Sequence, residues 1–316
     1  MAVDIRAHAR IHFGGIDLSG SGGRRIGGFG LTIARPRCVL RIERAAGLAV
    51  EGDQAERIEV LATRVHEALE IQPQARIRVL EAIPQHVGLG SGTQLNLALA
   101  AGIASLRGLD LSIGRLCSLL GRARRSGVGY HLFRRGGFVL EGGYPLESGP
   151  AIAEAPPLLA RHQFPRDWKI LVAIPSVSRL PPGGSAAAPA RPAGPPAEGA
   201  IDRIARLLLT ELLPAILERE LRRFADALAE IQALSGDSLA ADQEAEHHPG
   251  ADELARVLKE AGACAAGKSL WGPAVYGLAA DDRERQRLAA IIREADPEAR
   301  LYATRGWNRG AVIDGA

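Results

Sequence analysis

Apolar and polar positions alternate from Val3 to Phe13, with Ile5 and Ile11 on one parity, a period of two that predicts a strand. A glycine-dense loop is expected over residues 14–30, followed by a second strand at Arg37 to Glu43. Ile58, Leu61, Val65 and Leu69 recur at helical spacing and predict a helix from Ala55 to Leu69. Arg76 to Leu80 reads as a strand leading into the turn Pro84 to Leu95, and the Ala/Leu-rich run Asn96 to Leu106 reads as a helix. A further helix is predicted at Ser112 to Gly121, with strands at Gly136 to Leu140 and Trp168 to Ile174. Beyond a Pro/Ala/Gly linker at 181–199, Ile201 to Ala233 is helical, with Pro214 expected to kink or divide it. Ser235 to Gly250 is polar and predicted to be a loop. Ala251 to Ala261 and Arg283 to Glu294 read as helices, Leu270 to Leu278 and Arg300 to Ala303 as extended segments. Helices and strands intermix without an internal repeat, so the expected class is α+β, divided as residues 1–160 and 161–316.

Composition narrows the setting. A chain of 316 residues, 47% of them hydrophobic, is long enough for two modest domains with their own cores. No apolar run approaches the ~20 residues that span a bilayer, and the N-terminal region, with Asp4, Arg6 and Arg10, lacks the apolar stretch of a signal peptide. Cys38, Cys117 and Cys264 are odd in number and far apart, which speaks against a disulfide framework and for a reducing cytoplasm. A net charge of +3 is too balanced to propose nucleic acid as a partner.

The chemistry concentrates in Pro84 to Leu95. Gly88, Gly90 and Gly92 free the backbone to approach a ligand, Ser91 and Thr93 add hydroxyls, and a helix begins directly afterwards. That arrangement suits a phosphate and its magnesium, or simply a well-capped helix. Gly262 to Ser269 matches the Walker A pattern letter by letter, but it follows a helix and precedes β-prone residues and Pro273. This reverses the strand–loop–helix order the motif requires, so we read it as a helix-to-strand connection.

Several separated blocks agree with one family. Pro84 to Thr93 resembles the second motif of the GHMP kinase superfamily, and Gly262 to Leu278 looks like its C-terminal glycine motif. Arg10 to Asp17, Gly23 to Gly30, Gln85 to Gln94, Gly121 to Gly129, Gly136 to Phe138, Ser269 to Pro273 and Asn308 to Ala311 together resemble the β-ribofuranosylaminobenzene 5′-phosphate synthase family. The resemblance implies a GHMP-kinase-like two-domain α+β fold, with a ribosomal-protein-S5-like N-terminal domain and a ferredoxin-like C-terminal domain. It implies condensation of 5-phosphoribosyl-1-diphosphate with 4-aminobenzoate or 4-hydroxybenzoate, releasing CO2 and pyrophosphate, in tetrahydromethanopterin biosynthesis. Mg2+ is the implied cofactor and the cytoplasm the implied location, with a homodimer left open. Kinases of the superfamily that use a catalytic Asp carry it in a Ser-Gly-x-Asp-like segment, whereas this chain has Ser126-Gly-Val-Gly-Tyr130. Lys268 and Leu270 also depart from the Gln and Ser expected beside Ser269. The rival readings are an ATP-dependent small-molecule kinase and a non-catalytic binding homologue.

Within that resemblance Asp17 is a candidate magnesium ligand or proton acceptor, against the alternative of a turn-forming Asp. Ser91 is the second candidate metal ligand. Arg24 and Arg25, between glycines, are candidates to grip phosphate or the benzoate carboxylate, with Arg24 favoured. His12 is either a core histidine or a catalyst, and His86 either a phosphate donor or a loop cap. Arg125, in the run Arg122, Arg124 and Arg125, is a candidate for the 5-phosphate, and Ser126 beside it a candidate substrate- or phosphate-binding residue. Lys268 and Ser269 are placed near the ligand. Trp271 is a candidate stacking platform for the aromatic substrate, or core. Glu246, His247 and His248 are read as solvent-facing.

Overall fold

The computed structural model describes residues 2–17, 20, 22–123, 126–146, 155–176, 199–243 and 248–315, the side chains of Arg25, Ile26 and residues 236–243 aside. The loop predicted at 181–199 lies outside the described residues except for Gly199.

The chain opens with a long antiparallel pair, β1 (Ala2–Asp17) and β2 (Arg24–Arg44). β3 (Ala49–Gly52) and helix α1 (Ala55–Ala68) precede β4 (Ala75–Glu81). Three helices follow, α2 (Ser91–Leu106), α3 (Ile113–Leu119) and α4 (Val128–Arg135). Short strands β5 (Phe138–Glu141), β6 (Tyr144–Pro145) and β7 (Leu158–His162) lead to β8 (Lys169–Ile174). The remainder is α5 (Ala200–Leu207), α6 (Leu213–Glu218), α7 (Leu221–Gln243), α8 (Pro249–Glu260), β9 (Ala265–Lys268), β10 (Val275–Ala279), α9 (Asp282–Ala295), β11 (Arg300–Arg305) and β12 (Val312–Gly315). No helix among the described residues is long and apolar enough to cross a membrane.

Two sheets result. The first has the path β12-β1-β2-β4-β3, with β5 and β6 paired to β2 and β7 paired to β5. The second has the order β11-β8-β10-β9, all antiparallel. Numbered within its own segment, that is 4-1-3-2, the ferredoxin-like arrangement the resemblance implies, and the whole is an α+β fold. β8 shows why this sheet sits between two layers. Ile170, Val172 and Ile174 face the main core with Phe224 and Leu228, while Leu171 and Ala173 face Leu254, Leu258, Leu288 and Ile292 of α8 and α9.

Several expectations change. α2 begins at Ser91, inside the stretch read as a turn, and the segment read as extended over Leu270–Leu278 is strand only from Val275. The alternation assigned to β1 does not persist, because residues 7–15 are buried on both parities, with α2, α4, α5 and α7 all in contact with the strand. The glycine-dense stretch 14–30 is largely strand, since bare Cα positions let neighbours close in. A Cβ at Gly30 would lie 2.5 Å from the Ile11 carbonyl oxygen and 2.8 Å from Val128. Pro214 does not divide its helix. A π turn at Leu208–Leu212 absorbs its missing N–H, and the break falls at Arg219, whose φ is 62°. The polar segment expected as a loop after Ser235 continues as helix to Gln243.

Candidate active site

α2 begins at Ser91 with Gly90 as its cap residue in the left-handed conformation (φ 77°), so the first amides of a deeply buried helix point out of the glycine turn. The turn's glycines meet the protein itself. A Cβ on Gly88 (φ 79°) would lie 2.9 Å from the Ser269 carbonyl oxygen and 3.1 Å from Gly272 Cα, so the loop after β9 closes directly on the turn. At Gly90 the space is taken by the Arg10 side chain, 2.8 Å from the Cβ position, and at Gly92 by the Arg122 guanidinium, 3.2 Å away. The glycines thus admit two arginines and a second backbone, where sequence reasoning had them admit a ligand.

Arg10 is buried on β1. Its Nη1 donates to the Gly88 carbonyl and lies 3.5 Å from Ser269 Oγ. No carboxylate pairs with it among the described residues, and burial pulls its proton affinity down to about 10. Arg122 donates to Thr93 Oγ1 at 3.3 Å, again without a carboxylate partner among the described residues, and burial lowers its proton affinity too. Arg57 on α1 lies close enough to Arg122 for their like charges to oppose one another. The first turn of α2 contains no acidic residue. Helix dipole and buried guanidinium charge therefore add at one place, and that place suits an anion.

From the turn a chain of hydrogen bonds runs across both sheets. Ser269 Oγ donates to the Gly88 carbonyl at 2.6 Å and accepts the His12 N–H at 3.1 Å. The His12 ring sets Nε2 3.1 Å from Ser126 Oγ and meets Trp271 edge-on, centroids 4.6 Å apart. Ser126 Oγ donates to Glu141 Oε1 at 3.1 Å. The Ser126–Gly129 turn that opens α4 abuts the glycine turn, since a Cβ on Gly129 would be 3.2 Å from Thr93 Cγ2 and Gln94 Nε2 donates to the Gly129 carbonyl at 2.9 Å.

The structure therefore brings together His12, Gly88, Gly90, Ser91, Gly92, Thr93, Ser126, Ser269 and Trp271. Trp271 is half-buried and held at φ 64°, an unfavourable backbone state for a bulky residue and one that concentrates at functional sites. Asp17 is buried and accepts the N–H groups of Gly20 at 2.7 Å and Gly22 at 2.9 Å, the turn-forming role. Arg24 does not point a free fork at the site. Its Nε and Nη2 donate to the carbonyls of Gly142 and Gly143, both at 2.7 Å, pinning the turn after Glu141. His86 is exposed with φ 55° and makes no hydrogen bond among the described residues. Lys268 is exposed on β9 and pairs with Asp252 at 2.6 Å, so its charge is engaged away from the turn. The Walker-like segment is a helix-to-strand connection into β9. Arg125 and the side chain of Arg25 lie outside the described residues, as do Glu246 and His247, while His248 is half-buried at the start of α8.

Sequence reasoning missed three groups. Arg10 lies in a strand buried on both parities, Arg122 hides in a basic run that looked solvated, and Glu141 ends the apolar run Phe138-Val-Leu just before Gly142-Gly. A lone carboxylate closing an apolar strand ahead of two glycines was the available signal for the last. Glu141 is fully buried, and burial pushes its proton affinity up to about 7 against the opposing pull of the Gly143 N–H, Ser126 and Gly127.

Residues 56–133 match the family of GHMP kinases N terminal domains, and residues 212–298 that of GHMP kinases C terminal. The chain is 31% identical to a beta-ribofuranosylphenol 5'-phosphate synthase of Methanothermobacter thermautotrophicus, covering 98% of each chain. It is 32% identical to the Archaeoglobus fulgidus protein of the same name, covering 98% of this chain and 99% of that one. Among solved structures, homoserine kinase from Cytophaga hutchinsonii is similar with a TM-score of 0.66 at 15% identity, covering 99% of this chain and 97% of that one. Mevalonate kinase of Methanococcus jannaschii is similar with a TM-score of 0.60 at 12% identity, covering 96% and 98%. These two share the fold.

Proposed function

We propose a ribosyl transfer for this site from one premise: the chain belongs to the beta-ribofuranosylphenol 5'-phosphate synthase family within the GHMP kinase superfamily. It is an enzyme of the pentosyltransferase type. The specific reaction we assign is condensation of 5-phosphoribosyl-1-diphosphate with 4-hydroxybenzoate, the acceptor that yields a phenol, with loss of pyrophosphate and CO2; 4-aminobenzoate is the second acceptor to test.

The observation that supports this reading is the pair of guanidiniums, Arg10 and Arg122, packed into the glycine turn with no carboxylate partner among the described residues. Departure of pyrophosphate builds negative charge at one end of the breaking bond. Preorganised cations and helix amides aimed there stabilise it without reorganisation. The same chemistry leaves an electron-poor ribose C1, which an electron-rich ring carbon attacks, so the site must orient the ring and exclude water. Trp271, half-buried beside His12, is our candidate to set the plane of the ring.

The Asp of a phosphotransferring relative has no counterpart, since Gly129 occupies that segment and its Cα faces Thr93. Magnesium fits this chain as part of the substrate. Asp17 already accepts two backbone amides, and no group of three His, Cys, Asp or Glu residues among the described ones converges on a metal position. We therefore assign the ion to the diphosphate chelate, with Ser91 at the start of α2 in the wall around it.

The test is titration calorimetry of the protein with magnesium phosphoribosyl diphosphate and with magnesium ATP, followed by chromatographic detection of ribofuranosylphenol 5′-phosphate. Tight binding of the first and product formed without ATP are expected. ATP consumption with an alcohol or acid acceptor, and no product from either benzoate, would contradict the assignment.

A further inference from the structure

Glu141 is not explained by anion binding. It closes β5 with no exposed surface, and its Oε2 accepts the Gly143 N–H at 2.7 Å while Oε1 accepts the Gly127 N–H at 3.2 Å and the Ser126 hydroxyl at 3.1 Å. No arginine or lysine pairs with it among the described residues. Arg24 of β2 engages the carbonyls of Gly142 and Gly143 instead. A buried carboxyl without a cation is costly wherever it serves only the fold.

Its partner Ser126 is shared. Ser126 Oγ lies 3.1 Å from His12 Nε2 on its other side and accepts the Val128 N–H at 3.3 Å. Of the three linked side chains, His12 and Glu141 are buried and Ser126 is half-exposed, at the mouth of the turn that abuts Thr93. The order is carboxyl–hydroxyl–imidazole; with Ser126 donating to Glu141, the His12 Nε2–H and the Val128 N–H are its two donors, and an incoming substrate hydroxyl takes the place of the longer Val128 contact. This order differs from a nucleophilic triad, in which the carboxylate orients the imidazole and the hydroxyl stands at the end.

We infer that Ser126 exchanges a proton with the 4-substituent of the aromatic substrate, and that Glu141 is the positioning residue that holds the proton behind it. This rests on the reaction assigned above. As the ring carbon bearing the carboxylate bonds to ribose C1, the C1–oxygen bond breaks and its electron pair leaves with pyrophosphate. The proton of the 4-hydroxyl passes to Ser126 Oγ while the proton of Ser126 passes to the Glu141 carboxylate, leaving a neutral dienone ring. The bond to the carboxylate then breaks, CO2 leaves, the electron pair restores the aromatic ring, and the proton returns from Glu141 through Ser126 to the phenolate oxygen. No proton is gained or lost overall. A holder with affinity near neutrality, as burial gives Glu141 at about 7, can both take and return it. Among the described residues the titratable or charged groups around it are His12 of β1 beyond Ser126, Tyr144 of β6, and Arg24 of β2 through the two carbonyls.

The experiment measures product formation from phosphoribosyl diphosphate and 4-hydroxybenzoate between about pH 5.5 and 9. Wild-type kcat should rise with pH through a midpoint near 7. Glu141→Gln should lower kcat about 100-fold at high pH, abolish that rise, and leave KM for phosphoribosyl diphosphate within about threefold. Glu141→Asp should restore part of the rate, and Ser126→Ala should match Glu141→Gln, with the double variant no worse than either. A Glu141→Gln profile that keeps the wild-type midpoint, or a change confined to KM, overturns the inference. If Glu141→Gln does not fold, Ser126→Ala tests the same relay by the same profile, because the Gly127 and Gly143 amides still satisfy the carboxyl. If wild type makes no product, the assigned reaction fails, and the relay is judged without substrate by carbon-13 NMR titration of Glu141. A carboxyl midpoint near 7 that moves in Ser126→Ala supports the relay, and one near 4.5 overturns it.

Discussion

Arg10→Met removes the guanidinium beneath the glycine turn while keeping an unbranched stem to fill the space beside Gly90. Holding Arg10 at about 10 against its ordinary 12.5 corresponds to about 3 kcal/mol of unfavourable charge burial, which the substitution relieves. The lost hydrogen bond to the Gly88 carbonyl costs about 1 kcal/mol, because Ser269 Oγ still donates to that carbonyl at 2.6 Å and leaves it satisfied. The net expectation is a gain of about 2 kcal/mol in folding stability, a rise of a few degrees in Tm. Binding should move the other way. A charge-assisted contact to the diphosphate is worth about 1.5–3 kcal/mol, so Kd for magnesium phosphoribosyl diphosphate should weaken about 10- to 150-fold. Denaturant unfolding and titration calorimetry on the same preparations read the two quantities, the second at two salt concentrations. A stabilised variant with weakened binding identifies Arg10 as a group kept for the ligand at the expense of the fold. A variant destabilised by more than about 2 kcal/mol with unchanged affinity would refute that role and make Arg10 structural.

Three further outcomes follow from the same geometry. Gly272→Ala would drive a Cβ into the backbone of Val87 and Gly88, so it should shift the turn, weaken phosphoribosyl diphosphate binding at least about tenfold and cost about 1–3 kcal/mol, whereas Gly47→Ala, with nothing within 4 Å, should change neither. The proton affinity of Glu141 is raised by folding from 4.5 to about 7, so its contribution to stability is full below about pH 4.5 and is lost as pH rises to about 7; the stability of wild type relative to Glu141→Gln should fall by about 3 kcal/mol over that interval in denaturant titrations. His8, stacked on Trp307 with centroids 4.5 Å apart, is lowered by burial from 6.5 to about 4, so its contribution is present above about pH 6.5 and is lost as pH falls to about 4; His8→Phe should lose that acid-side decline in the same measurement.

The elements with strong periodicity were legible in the sequence. α1 falls where the Ile58–Leu69 spacing puts it, α2 contains the Ala/Leu run but begins earlier, at Ser91, and β4 leads into the glycine turn. Glycine was the main source of error, because the same residue marks a loop, a strand under close approach and a helix start. Gly28 and Gly30 sit in a paired strand against His12 and Val128, and Gly127 and Gly129 open α4, which the pattern did not reveal. The site was legible as a glycine turn with hydroxyls and not as a charge distribution. Sequence reasoning chose arginines flanked by glycine, yet Arg24 binds carbonyls, while the cations at the turn come from Arg10, far earlier in the chain, and from Arg122 after α3. Such long-range convergence leaves no local trace. Lys268 misled for the converse reason: it stands beside Ser269, but it ends β9 exposed and paired with Asp252, while Ser269, just past the strand, is buried with its hydroxyl on the Gly88 carbonyl.

The central claim is that the glycine turn holds the diphosphate of an activated ribose while an aromatic ring loses its carboxylate. The most direct measurement supplies carboxyl-labelled 4-hydroxybenzoate and magnesium phosphoribosyl diphosphate to the purified protein and quantifies labelled CO2, pyrophosphate and ribofuranosylphenol 5′-phosphate together. All three should form in equal amounts, with Arg10→Met depressed in all three alike. Pyrophosphate released without labelled CO2, or CO2 released without a ribosylated ring, would contradict the claim.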